Sequence, residues 1–90
     1  MKAITWNQEK ARKLLEDESR GKVGFEDCLI AIESGNILAI LPNPARANQR
    51  MFVLELNAYA YVVPFIEDET TIFLKTVYPS RKHTALYLSE

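Results

Sequence analysis

The sequence predicts one α+β domain, residues 1–90, whose small antiparallel sheet comes mainly from the C-terminal half. Ninety residues are enough for a single core and too few for two. Three runs rich in β-branched and aromatic residues follow one another at 50–56, 59–66 and 71–78. The connections between these runs are too short for a parallel crossover. The three runs therefore predict an antiparallel meander.

The N-terminal part predicts a short strand followed by two helices. Residues 2–6 have strand character, and Asn7 is a good N-cap for a helix that runs to about residue 18. After a glycine-containing turn at 19–24, residues 25–34 place Phe25 and Cys28 on one apolar helix face. Gly35 suits a left-handed C-cap. The order of elements is then strand, helix, helix and sheet.

Local signals also fix the turns and the last helix. Residues 37–41 are a short apolar segment that Pro42 stops, and Asn57-Ala58 suits a two-residue hairpin. Pro64 would cost a ladder hydrogen bond in a central strand, so it indicates an edge or a bulge. Ser80 is the expected N-cap of a C-terminal helix. Apolar residues on both strand faces predict partial cover on each side.

Composition narrows the class of protein. Eleven Lys and Arg against twelve Asp and Glu give a net charge of −1, which argues against a general nucleic-acid coat protein. The charge is uneven, so a focused basic patch remains compatible with it. A single cysteine excludes an internal disulfide, and no cluster predicts a metal or cofactor. The absence of a signal-like or spanning apolar run predicts a cytoplasmic protein without a membrane partner.

The segment from Tyr78 to His83 is the most unusual local feature. With Ser80 as the cap, Arg81, Lys82 and His83 occupy the positive end of a helix, where cations are unfavourable. Cations beside exposed backbone N–H groups are typical of a phosphate or carboxylate site. An alternative is that these cations are simply solvated or paired with residues 67–69. A Cys28–His83 nucleophile pair is disfavoured because Cys28 falls on the apolar helix face.

Other cations could converge on that site. Lys75 is expected in mid-strand, with its stem buried and its amine at a rim. Lys10 and Lys13 on the first helix, and Arg50 at the start of its strand, could face the same region. Tyrosines at 59, 61 and 78 could stack on bases, although interior packing is the better default for the first two.

Four segments in order carry a resemblance that covers nearly the whole chain. They read Ile-Thr-Trp-Asn-Gln-Glu-Lys-Ala at 4–11, Phe-Glu-Asp at 25–27, Asn-Gln-Arg-Met-Phe-Val at 48–53, and 72–82 ending in Pro-Ser-Arg-Lys. Together they resemble BrnT-type toxins of bacterial toxin–antitoxin systems. The resemblance implies a RelE-like fold, with two helices on a small antiparallel sheet and a C-terminal helix. It also implies metal-independent mRNA cleavage that inhibits translation, and neutralisation by a ribbon-helix-helix antitoxin.

The resemblance matches the family's site residues to Arg50, Arg81 and Lys10. We expect Arg81 and Arg50 to stabilise phosphate charge, Lys75 or Lys10 to assist proton transfer, and His83 or Tyr78 to act as acid. Lys13, Lys82 and Ser80 would help to bind RNA. The competing hypothesis is a non-catalytic module that binds the antitoxin and contacts DNA only through it. DNA cleavage is less favoured, since clustered carboxylates for Mg²⁺ are missing.

Overall fold

The computed structural model of the chain describes residues 2–17 and 23–89. The predicted turn at 19–24 lies mostly outside these residues. The elements, in chain order, are β1 (Ala3–Trp6), α1 (Gln8–Glu16), α2 (Phe25–Glu33), β2 (Ile37–Pro42), β3 (Arg50–Leu56), β4 (Tyr59–Glu67), β5 (Thr71–Leu74), β6 (Tyr78–Pro79) and α3 (Arg81–Leu88). The predicted α+β class is confirmed, and none of these helices is long and apolar enough to cross a membrane.

The sheet is mixed rather than wholly antiparallel. Its strand order is β1-β5-β4-β3-β2, with β6 pairing β4 beside β5. The predicted meander is antiparallel over β3, β4 and β5, and β2 extends it on the far side of β3. β1, however, pairs with β5 in parallel. Two helices and three strands separate β1 from β5 along the chain, which leaves enough length for a parallel return. The antiparallel prediction was therefore wrong for the N-terminal strand.

Pro64 explains why the predicted strand at 71–78 is two strands. Pro64 lies inside β4, and its carbonyl oxygen accepts the backbone N–H of Lys75 at 2.8 Å. In an antiparallel ladder, a residue's N–H and C=O point to the same neighbouring strand, so the donor that proline lacks is missing on this side. The ladder is interrupted there: β5 ends at Leu74 and β6 begins at Tyr78. Pro64 thus marks a break in its partner strand.

Helices cover the two faces of the sheet unequally. On one face, α1 and α2 enclose the main core with alternate residues of the central strands; its buried members include Leu14, Phe25, Cys28, Phe52, Leu54, Val63, Phe65 and Leu74. The opposite face buries Met51, Val53, Ala60 and Val62, and α3 packs there against β4. α3 itself contributes no fully buried residue. We call these surfaces the two-helix face and the α3 face.

The predicted caps are present. The Asn7 side chain accepts the N–H of Lys10 at 2.9 Å, and the Ser80 side chain accepts the N–H of His83 at 3.1 Å. Gly35 has φ of +80°, as a left-handed C-cap requires. The hairpin at 57–58 also forms, with φ of +55° at Asn57 and +62° at Ala58. α1 ends at Glu16, slightly earlier than predicted.

Candidate functional site

A basic cleft of about 510 Å³ has Pro64, which points to the α3 face, in its wall, and it extends to Lys10 of α1. It brings together an amine from α1, a guanidinium from the loop between β2 and β3, and an amine just past β5. The lining residues are Lys10, Asn43, Ala45, Arg46, Gln49, Pro64, Lys75, Thr76 and Tyr78. We call it the cationic cleft.

Hydrogen bonds within the β2–β3 loop hold one wall of the cationic cleft. The Asn43 side chain accepts the N–H of Ala45 at 3.0 Å, and the N–H of Arg46 bonds to the carbonyl of Asn43 at 3.2 Å. A second turn follows, in which the N–H of Gln49 bonds to the carbonyl of Arg46 at 3.1 Å. The Asn43 and Gln49 side-chain amides are also bonded, at 3.2 Å. This ordered loop presents Arg46 at its corner.

Lys75 forms another part of the wall, in a different setting from the one predicted. It lies after the end of β5 and is exposed, so the prediction of a buried stem in mid-strand was wrong. Its amine sits 5.3 Å from the centre of the Phe73 ring, a cation–π contact on the α3 face. Together with the backbone bond to Pro64, this contact restricts where the amine can point. Lys75 is therefore displayed rather than buried.

The charges lining the cationic cleft all have one sign. Lys10, Arg46 and Lys75 supply cations, and none of the described residues on its wall is a carboxylate. Within residues 2–17 and 23–89 the ion pairs all belong to Glu67, so these three cations are without a salt bridge there. The Tyr78 hydroxyl can donate a further hydrogen bond in the cleft. The arrangement suits a phosphate or another polyoxyanion.

Arg50 lies on the other side of the sheet. Its guanidinium is 5.4 Å from the centre of the Phe65 ring, a core residue of the two-helix face, and it forms an ion pair with Glu67. Lys2 binds the same carboxylate at 2.7 Å. These two hydrogen-bonded cations hold the pKa of Glu67 below its usual range. The expectation that Arg50 shares a site with Lys75 was wrong, because alternate strand residues face opposite sides.

The α3 residues lie beside the cationic cleft rather than in its wall. Lys82 and His83 line a second cleft of about 360 Å³ with Leu41, Pro42, Pro44 and Met51. The His83 ring is held by Ser80, whose hydroxyl oxygen lies 2.6 Å from Nδ1, and it stacks on Tyr87 at 6.3 Å between ring centres. Arg81 is exposed in the first turn of α3. Arg81 lines neither of these two clefts, so the predicted phosphate-binding residues do not all meet at one place.

The remaining predicted residues also divide. Tyr78 is 38% exposed and contributes a phenol to the cationic cleft. Tyr61 is buried, and Tyr59 packs against the same core, which confirms interior packing for both. Lys13 is exposed in the last turn of α1 and does not line the cationic cleft. Burial raises the pKa of the Cys28 thiol to about 12, which argues against a nucleophilic thiolate.

Sequence reasoning missed the contribution of the β2–β3 loop. Arg46, Asn43 and Gln49 line the cationic cleft, yet none of them was predicted as a site residue. A usable signal was present: Asn43 can close an Asx turn, and such a turn fixes the direction of the cation that follows it.

No protein-family model matches the chain, and no curated protein or solved structure matches it either.

Proposed function

We propose that this chain is a toxin endoribonuclease whose cationic cleft binds the scissile phosphate of mRNA. One observation carries the proposal: Lys10, Arg46 and Lys75 meet in one cleft whose described wall contains no carboxylate. A phosphodiester in RNA carries one negative charge, and more charge develops on its oxygens as the phosphorane forms. Cations held by surrounding structure stabilise that charge without reorganising. The cleft is suited to this task.

The proposed reaction is attack by the 2′-hydroxyl oxygen on the adjacent phosphorus. A new P–O2′ bond forms and the P–O5′ bond breaks, which leaves a 2′,3′-cyclic phosphate and a 5′-hydroxyl. Arg46 binds the non-bridging oxygens. A solvent hydroxide ion takes the proton from the 2′-hydroxyl to form water, while Lys10 and Lys75 stabilise the negative charge that develops on the attacking oxygen. The Tyr78 phenol donates a proton to the departing 5′-oxygen. No metal or cofactor enters this proposal.

The RelE-like arrangement and the antitoxin belong to the same proposal. Two N-terminal helices on one face of the sheet and a C-terminal helix on the other support it. A ribbon-helix-helix antitoxin would neutralise the toxin in the cytoplasm by covering the cationic cleft. DNA would then be contacted only through that partner.

The test is incubation of purified protein with mRNA in EDTA. We expect cleavage products that carry 2′,3′-cyclic phosphates, and a large loss of cleavage with Lys75→Met and with Lys10→Met. The control is Leu86→Ala, since Leu86 is an exposed α3 residue outside both clefts. Intact RNA at high protein concentration would overturn the catalytic proposal.

A second candidate function is the non-catalytic module that binds the antitoxin. An apolar groove favours it: Ile4, Leu29, Ile32 and Ile72 line a groove of about 650 Å³ between β1 and α2, with Lys2 and Glu33 at its border. The choice can be made in cells. Growth arrest on expression of this chain alone, relieved by a neighbouring short reading frame and abolished by Lys75→Met, supports the nuclease. Unimpaired growth, with the partner still bound, supports the module.

A further inference from the structure

The second cleft on the α3 face directly adjoins the cationic cleft. We call it the proline cleft, and its wall contains Pro44 and Met51. Met51 is the cross-strand partner of Pro64, which belongs to the wall of the cationic cleft. Partners in neighbouring antiparallel strands have Cα atoms about 4.5–5.5 Å apart. Pro44 also follows Asn43 in the same ordered loop, so the two clefts lie on either side of one turn.

The two clefts differ in chemistry. The cationic cleft is mainly polar, whereas Leu41, Pro42, Pro44 and Met51 give the proline cleft apolar walls. Pyrrolidine rings and a thioether make good contact with a flat aromatic ligand. At the rim, Lys82 supplies a positive charge and His83 an imidazole. Ser80 and Tyr87 fix the orientation of that imidazole.

We propose that the proline cleft is a nucleobase subsite for the nucleotide next to the phosphate held in the cationic cleft. The inference rests on the proposed function, because it takes RNA as the ligand. A nucleotide joins a planar, largely apolar base to a phosphate through one sugar. That pairing of groups matches an apolar slot beside a cluster of cations. The Nδ1 atom of His83 faces Ser80, which leaves Nε2 as the ring nitrogen that can bond to a base edge.

The occupant is therefore a base of single-stranded RNA rather than an apolar protein side chain. Lys82 favours a polyanionic ligand at the rim, and the adjoining cations extend that preference across the turn. An acidic peptide would satisfy the cations but would gain little from the apolar walls. A double-stranded RNA would keep its bases stacked and could not insert one.

The experiment compares short fluorescent RNA strands that have the same number of phosphates. One strand is complete, and each of the others has an abasic ribose at one position. To separate binding from cleavage, the 2′-hydroxyl at the cleavage position is replaced by a 2′-methoxy group. We expect one abasic position to weaken binding by about tenfold, the scale found for loss of one stacked base. Equal affinity for all the strands would overturn the subsite while leaving phosphate binding intact.

Variants test whether the preference for the complete strand comes from a base bound in the proline cleft. With His83→Ala, the preference for the complete strand over the abasic strand should fall to near one, whereas Leu86→Ala should keep it. Thermal unfolding monitors whether each variant folds. Should His83→Ala fail to fold, Pro44→Ser in the exposed loop provides the second variant and should reduce the same preference. If both variants keep it, the base binds elsewhere and the subsite is wrong.

The outcomes also separate this inference from the function on which it rests. Binding of both complete and abasic RNA with equal strength contradicts only the base subsite. A complete strand that does not bind at any accessible protein concentration contradicts both. Tight binding of an acidic peptide, together with equal affinity for the complete and abasic strands, would assign the cationic cleft to a protein partner and overturn the subsite.

Discussion

The two faces of the sheet handle positive charge in opposite ways. On the two-helix face, Arg50 and Lys2 share the carboxylate of Glu67, which compensates part of their positive charge. Beside Pro64 of the α3 face, Lys10, Arg46 and Lys75 line one cleft that has no carboxylate among its described residues. Strand β4 separates the two clusters: Phe65 and Glu67 point to one face and Pro64 to the other. Strand alternation therefore places Arg50 on the face opposite the one to which Pro64 points.

This difference shows that a basic residue in a strand-rich sequence is weak evidence for a site by itself. A cation near a carboxylate is held in the native structure and contributes modestly to stability. Cations gathered without a counter-charge repel one another, and local departures of this kind are expected at functional sites. The α3 face has the second arrangement.

RNA cleavage should depend on Lys75 and not on Arg50. We expect Lys75→Met to lower kcat by about 10²–10³-fold, the usual loss when one preorganised electrostatic group is removed. Arg50→Met removes a similar cation from the two-helix face and should leave kcat close to that of the unmodified protein. Single-turnover cleavage of a labelled RNA measures both. A large loss with Arg50→Met and none with Lys75→Met would reverse the assignment of the faces.

The same contrast should appear in packing. Val62 and Val63 are adjacent in β4 and are both fully buried, but Val62 points to the α3 face and Val63 to the main core. We expect Val63→Ala to lower the free energy of unfolding by about 2–3 kcal/mol, and Val62→Ala by about 1–2 kcal/mol. The reason is that α3, which buries no residue fully, can settle into the space. Urea unfolding measures both values; equal losses would mean that α3 is packed as firmly as α1 and α2.

The salt dependence of RNA binding measures how many cations contact phosphate groups. Three phosphate contacts to a single strand predict a slope of log K against log salt of about −2. Arg46→Met should reduce its magnitude by about 0.7. Lys13→Met is the matched control, because Lys13 is exposed on α1 outside the cationic cleft. If Lys13→Met changes this slope more than Arg46→Met does, the RNA binds on the Lys13 side of α1 rather than in the cationic cleft.

Much of the fold follows from local signals in the sequence. The caps at Asn7 and Ser80, the left-handed Gly35 and the hairpin after Leu56 each have a short-range cause, and each was predicted. The direction of β1 has no such cause, because it depends on where a distant strand offers an edge. The break after Leu74 was predicted only in part. Pro64 indicated an edge or a bulge, but which neighbouring strand is interrupted depends on the direction of the Pro64 carbonyl.

The candidate site was harder to predict for the same reason. Lys10, Lys75 and Tyr78 were identified and do meet in one cleft. Arg50 was assigned to them because it is a cation at the start of a strand, and sequence order does not reveal that Glu67 lies across from it on the same face. Arg46 was missed because its role depends on a turned loop. The alternation of side chains along β3 and β4 could have shown that Arg50 and Pro64 face opposite sides of the sheet.

The smallest effect concerns the compensated cluster itself. Lys2 and Arg50 lower the pKa of Glu67, which means that they stabilise its ionised carboxylate in the folded state. This contribution to folding stability is fully present above the unfolded pKa and is lost as pH falls through the folded pKa. Glu67→Gln should therefore be less stable than the unmodified protein near neutral pH, and the difference should shrink below about pH 4.3. Unfolding measured by urea at several pH values tests this, with Glu69→Gln, in the exposed turn, as control. A difference that persists undiminished in acid would show that Glu67 acts through packing rather than charge, and the contrast between the faces would then rest on the cationic cleft alone.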